Sequence, residues 1–209
     1  MNYLEIIGTL IGLVYLWLEY HANYWLWIAG LLMPLIYIFV YYDAGLYADM
    51  GISVYYVLAS LYGFLYWVRR RARSVNGNLT ETPIKRTPKK KIIPIVVVLI
   101  LLNVVISQIL IHYTDSKVPW IDGFTTALSI VAMWMLSRKY SEQWIAWIAV
   151  DVVSTILYVY KGLYFTSGLY ALYAVIAYFG YMKWEKLRKD QLNRNKHTAR
   201  ASYRFHESS

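Results

Sequence analysis

Seven stretches of this chain are each long and apolar enough to cross a lipid bilayer, and that leaves few folds open to it. A spanning helix needs roughly 20 mostly apolar residues, within a range of about 17–25. The stretches lie near residues 3–20, 24–42, 47–68, 92–112, 119–137, 143–160 and 164–184. Hydrophobic residues make up 59% of the 209, and charged residues only 16%. That balance is too apolar for an ordinary soluble domain of this length. The expected class is an all-α membrane protein. Pro94 falls in the first turn of its helix, where a missing N–H costs little. Pro34 falls inside the second stretch and should kink it.

Two segments are aqueous. Residues 69–91 hold nine basic residues and one acid, Glu81, with Pro83, Pro88 and the turn pair Asn76-Gly77. They read as a flexible basic linker. Residues 186–209 form a basic tail, expected to be disordered after Lys189. The net charge of +9 is concentrated in these segments. The positive-inside rule accounts for such placement better than nucleic-acid binding does. With the linker cytoplasmic, 19 of the 21 Lys and Arg fall inside, and only Lys117 and Lys161 fall outside. The N-terminus is then outside and the C-terminus inside. The first stretch has no basic region before it and is flanked by Glu5 and Glu19. It is therefore not expected to be a cleavable signal.

The chain also repeats. A shift of 117 residues, without gaps, brings Trp17 onto Trp134, Trp27-Ile28-Ala29 onto Trp144-Ile145-Ala146, and Tyr41 onto Tyr158. It brings Gly45-Leu46-Tyr47 onto Gly162-Leu163-Tyr164, Gly51 onto Gly168 and Tyr56 onto Tyr173. Gly63 meets Gly180, and Trp67 meets Trp184. The pattern implies two three-helix repeats, 1–68 and 119–185, joined by the linker and a connecting helix at 92–112. Three helices invert the chain, so one added crossing lets both repeats run the same way. Parallel repeats of this 3+1+3 kind are a SWEET-like design, with a passage between the halves. Gly45 and Gly162 fit helix C-terminal caps, and Gly63 and Gly180 fit close helix approach.

These residues carry a family resemblance. Trp27-Ile28-Ala29-Gly30, Gly45-Leu46-Tyr47-Ala48-Asp49 and Tyr62-Gly63-Phe64-Leu65-Tyr66-Trp67 resemble the first repeat of the PnuC vitamin transporters. The second repeat is similar in the stretch from Asp122-Gly123-Phe124 to Ser129, in Trp144-Ile145-Ala146-Trp147 with Asp151, and in Tyr160-Lys161-Gly162-Leu163-Tyr164 and Gly180-Tyr181-Met182-Lys183-Trp184. The resemblance covers residues 1–185. It implies facilitated diffusion of an unphosphorylated B-vitamin across the bacterial inner membrane, with trapping by a cytosolic kinase. Nicotinamide riboside is the best known substrate, and related members carry thiamine or riboflavin. Two positions depart from the nicotinamide riboside pattern. Met33-Pro34 stands where an Asn-Ser pair is expected, and Ser53 where a Gln is expected. Loss of amides that would bond a ribose or carboxamide moves weight toward thiamine. The stretch Trp17-Leu18-Glu19-Tyr20 resembles the thiamine-type branch as well.

Asp151 lies near the middle of the sixth stretch. An ionisable residue there is costly unless it is paired, wetted or functional. It would offset the fixed positive charge of nicotinamide riboside or thiamine. Its structural alternative is pairing with a helix N–H, a Tyr or a Lys. Trp144 and Trp147 share its helix face, and indole faces stack on flat rings and attract cations. Trp27 is the repeat mate of Trp144. All three Trp also suit an interfacial belt. Tyr37, Tyr41, Ser53, Tyr56, Ser154 and Tyr158 are further candidates for the path, each equally able to serve packing. Glu19, at an inner helix end, reads as reaching the headgroups. His21 and His112 have no second ligand at metal spacing, and with no Cys present thiolate sites are excluded. No metal or cofactor is expected. The expected partners are the vitamin and the lipid bilayer, and homo-oligomerisation is compatible with such a bundle. A membrane enzyme or receptor is the alternative class, but no nucleophile or acid–base pair supports an enzyme.

Overall fold

A computed structural model describes residues 3–43, 47–72 and 83–207. They form α1 (Tyr3–Tyr20), α2 (Leu26–Asp43), α3 (Tyr47–Ala72), α4 (Lys89–Tyr113), α5 (Pro119–Ser137), α6 (Gln143–Tyr160) and α7 (Tyr164–Glu207). Met50–Arg69 of α3 and the whole of α4, α5 and α6 are long and apolar enough to cross a membrane. α1 and α2 contribute the shorter apolar runs Ile11–Tyr20 and Leu26–Phe39. Large apolar side chains such as Ile93, Phe39, Ile156 and Leu101 stand exposed on outer faces. In water that would be an aggregation surface; in lipid it is the expected exterior. Gly45, Asn76, Gly77 and Glu81 lie outside the described residues.

The helices close a ring. α1 packs on α2, α2 on α3, α3 on α5, α5 on α6, α6 on α7, and α7 back on α1. Among the described helices α4 packs on α5 alone and stands outside the ring.

Local structure recurs at the 117-residue spacing. α1 ends with Ala22 at φ 52°, and α5 ends with Lys139 at φ 55°. Behind each is the same pair of bonds. Ala22 N–H donates to the Glu19 carbonyl and Asn23 N–H to that of Leu18, both at 2.9 Å. Lys139 N–H donates to Leu136 at 2.8 Å and Tyr140 N–H to Met135 at 3.1 Å. This 6→1 and 5→2 closure satisfies the last carbonyls of a helix and needs a left-handed residue, here without glycine. α6 ends in the same motif with Gly162 at φ 73°, as its place after the helix led one to expect.

Tryptophans pack in matching pairs. Trp27 meets Trp67 edge-on with ring centroids 5.5 Å apart, and Trp144 meets Trp184 at 5.9 Å. Trp27 lies on Gly63 and Trp144 on Gly180, where any side chain would collide with the indole. The two ring junctions are tied alike. The Trp67 indole N–H donates to the Ser137 carbonyl at 2.9 Å, and that of Trp184 to the Glu19 carbonyl at 3.0 Å.

Both ends of the segment read as a linker are ordered, against what its composition implies. α3 continues to Ala72, α4 begins at Lys89, and residues 83–88 lie as an extended strap. Lys85 N–H donates to Lys139 and Ser141 N–H to Lys85, both at 2.9 Å. Ile84 N–H reaches Gln191, and Thr87 gives both its N–H and its hydroxyl to Glu142. Arg86 pairs with Glu185 at 2.9 Å, and Glu185 also binds Arg188 and Ser141. Hydrogen bonds from Arg188, then from Arg86 and Ser141, outweigh the opposing effect of burial and hold the Glu185 carboxyl down at about 2. α7 likewise does not stop near 184 but stays helical to Glu207.

Candidate functional site

Inside the ring lies a cavity of about 320 Å³, lined by α1, α3, α5, α6 and α7. Asp151 and Val150 come from α6, with Trp147 and Trp144 one and two turns nearer its start. Four and seven residues of spacing put these side chains on one face of the helix. Tyr170, Tyr173 and Ala177 come from the next helix by the same rule. α1 adds Gly12, Tyr15, Leu16 and Glu19; α3 adds Tyr56, and α5 adds Ser129.

Two carboxylates therefore face one cavity. Asp151 is 7% exposed and Glu19 1% exposed. Among the described residues no hydrogen bond or ion pair reaches the Asp151 carboxylate, and Glu19 Oε1 has no partner either. Gln143, fully buried, stands beside Glu19. The indole N–H groups of Trp144 and Trp147 are also unpartnered. Leaving buried polar groups unpaired costs about 1–3 kcal/mol each, and more for charged ones. A cavity so lined is suited to a ligand with a positive charge, hydrogen-bond donors and a flat ring.

The structure sorts the residues singled out from the sequence. Asp151, Trp144, Trp147 and Tyr56 meet at the cavity. Trp27 does not line it; the indole is fully buried against Gly63 and Trp67. Ser53 and Ser154 are buried away from the lining. Tyr158 stacks behind Tyr170, with centroids 5.1 Å apart, and so backs a lining residue rather than lining the cavity itself. Tyr37 is exposed on α2, a helix whose described residues do not line the cavity. The side chain of Tyr41 lies outside the described residues. Glu19 is corrected: it does not reach the headgroups, because α7 closes over it through Trp184.

Tyr15, Tyr170, Tyr173, Ser129 and Gly12 were not singled out. The repeat itself held a signal for two of them, Tyr173 and Tyr170, whose mates Tyr56 and Ser53 were candidates. The 117-residue shift turns Tyr56 into Tyr173, Gly12 into Ser129 and Ser53 into Tyr170. Asp151 has Pro34 as its mate and Trp147 has Gly30, so the lining residues are not repeated at the 117-residue spacing.

Comparison with known proteins agrees with this architecture. The family described as nicotinamide mononucleotide transporter matches residues 2–186. The nicotinamide riboside transporter PnuC of Escherichia coli (strain K12) is 26% identical, over 88% of this chain and 85% of its own. The riboflavin/roseoflavin transporter RibM of Streptomyces davaonensis is 25% identical, over 86% and 83%. The crystal structure of the vitamin B3 transporter PnuC superposes with a TM-score of 0.64 at 25% identity, covering 86% of this chain and 79% of that one. With its membrane-length helices and a family match along nearly all of the ring, this chain is a membrane protein that belongs to the nicotinamide mononucleotide transporter family, the family of the PnuC proteins.

Proposed function

We propose that this protein carries a cationic B-vitamin or its nucleoside across the bacterial inner membrane by facilitated diffusion. A cytosolic kinase then traps the product, since a phosphorylated vitamin no longer fits a path lined by carboxylates. The observation that carries this reading is the cavity holding two buried carboxyl groups, Asp151 and Glu19, among Trp and Tyr rings. The names of the relatives support the substrate class: nicotinamide riboside for PnuC and riboflavin for RibM. Riboflavin is uncharged and gives no reason for paired acids, so a fixed positive charge on the ring is the better fit. Asp151 is the counter-charge, Trp144 and Trp147 clamp the ring, and Tyr56, Tyr170 and Tyr173 complete the walls. Trp27, Ser53, Ser154 and Tyr158 support that site from behind.

The frame we propose is seven spanning helices in a 3+1+3, SWEET-like arrangement, N-terminus outside and C-terminus cytoplasmic. The repeats span 1–68 and 119–185, and transport follows from their rocking about the two tryptophan-tied junctions. The strap supports this orientation, since its bonds to Glu185 and Gln191 set the linker on the same side as the tail.

Uptake of labelled vitamin into proteoliposomes tests the reading. Asp151→Asn should weaken binding of a cationic vitamin by about 1.5–3 kcal/mol, the worth of a charge-assisted bond. That is roughly ten- to hundredfold, with insertion unchanged. Equal uptake by mutant and parent would remove the counter-charge role. Thiamine is a specific second reading, favoured by Met33-Pro34 and Ser53 in place of amides and by Glu19 at the cavity. Its aminopyrimidine offers donors to an unpaired carboxylate. A side-by-side titration with thiamine and nicotinamide riboside decides between them.

A further inference from the structure

A second cavity, of about 580 Å³, lies outside the ring. α3 and α4 each pack on α5 but not on each other, which leaves a cleft over α5 that opens sideways. Its walls include Tyr55 of α3, Val98 and Leu102 of α4, and Ile130 of α5. The Tyr55 hydroxyl is already bonded to the Ile130 carbonyl at 2.9 Å, so it offers no free donor to a polar guest. Along α4 the cleft runs from Lys91 to Leu102. At 1.5 Å per residue that is about 17 Å. The depth matches one leaflet of a hydrocarbon core roughly 30 Å thick.

Polarity enters at one end only. There Lys91 sits over the rings of Trp134 and Tyr140, at 5.8 and 6.0 Å. Its neighbours Lys89 and Lys90 are exposed, as is Lys85 of the strap, while Arg86 is paired with Glu185. No side chain caps the start of α4, so the positive end of the helix dipole adds to the lysines. The cleft is thus an apolar slot of leaflet depth with a cluster of cations at its mouth.

We propose that this cleft binds an anionic phospholipid, one acyl chain lying between α3 and α4 and the phosphate at Lys91. Basic pockets between membrane helices on the positive side recognise such headgroups. The charge argues against a second copy of the chain as occupant. Another copy would bring the same basic edge against this one, and like charges in contact repel. The site is separate from the central cavity and does not depend on which vitamin is carried.

Native mass spectrometry of the full-length protein in detergent tests this, titrating phosphatidylglycerol or phosphatidylcholine with identical acyl chains. Phosphatidylglycerol should be retained preferentially. Lys91→Gln, a change at an exposed side chain, should lower its retention about fivefold, the effect of one basic residue near an anionic surface. Phosphatidylcholine retention should not change in that variant. Val98→Trp, which fills the slot, should lower retention of both lipids. Equal retention of the two lipids by the parent protein would overturn the proposal. So would phosphatidylglycerol binding that neither variant alters, or a Val98→Trp protein that changes only its oligomeric state.

Discussion

Gly63 and Gly180 hold corresponding places under corresponding indoles, yet only one of those indoles faces the central cavity. A methyl group on Gly63 would overlap Trp27, and one on Gly180 would come within 2.8 Å of Trp144. Overpacking of this kind costs about 1–3 kcal/mol. Both Gly→Ala changes should therefore lower the melting temperature. Only Gly180→Ala should also weaken vitamin binding, roughly tenfold, because 1.4 kcal/mol of misplaced stacking is a factor of ten. Melting and titration on the same samples check this, and matched affinities in the two variants would detach Trp144 from the site. Residues of this kind were only partly legible in the sequence. Asp151 and the two Trp stood out because their types are costly or distinctive at those depths. Glu19 was misjudged because what encloses it, Trp184, lies 165 positions further along the chain.

Among the elements, the strap at 83–88 shows where reading by composition fails. It is proline-bounded, and its basic residues Lys85 and Arg86 are exposed, both marks of a mobile linker. Its order comes from partners at 139–142, 185 and 191, which local sequence does not reveal. Among the helices, α5 and α6 were legible to the residue. α5 and α6 have the limits 119–137 and 143–160 expected from their apolar runs, with Pro119 at the start of α5. The continuation of α7 to Glu207 was missed because polarity was taken for disorder. The strap also carries a pH dependence. The Glu185 carboxyl is held at about 2, below its ordinary 4.5. A depressed carboxylate contributes stability above its unfolded value and loses it as pH falls toward the folded one. Stability should therefore decline between pH 4.5 and about 2. Glu185→Gln should abolish that part of the decline while making residues 83–88 more sensitive to protease at pH 7. Thermal melts across that range, paired with limited proteolysis, read both effects.

At the scale of the whole molecule, the ring, its two matched junctions and the outlying α4 make the halves of the chain separable in an unusual sense. Among the described residues the hydrogen bonds and ion pairs of the strap go to the second half and α4 packs on α5 alone, while Ile84 of the strap joins the buried cluster that also holds Ala22, Leu26, Trp27 and Trp67. A backbone break between Ala72 and Pro83 would sever none of the described contacts. What holds the halves together is surface at α3 against α5 and α1 against α7, including the two indole-to-carbonyl bonds. Two separate genes, one encoding the chain through residue 82 and the other beginning with a start codon before Pro83, should accordingly yield fragments that find each other in the bilayer. Cells making both should take up vitamin, and cells making either alone should not. The modern polypeptide would then be a fusion whose covalent joint enforces equal dosage of its halves rather than their mutual recognition.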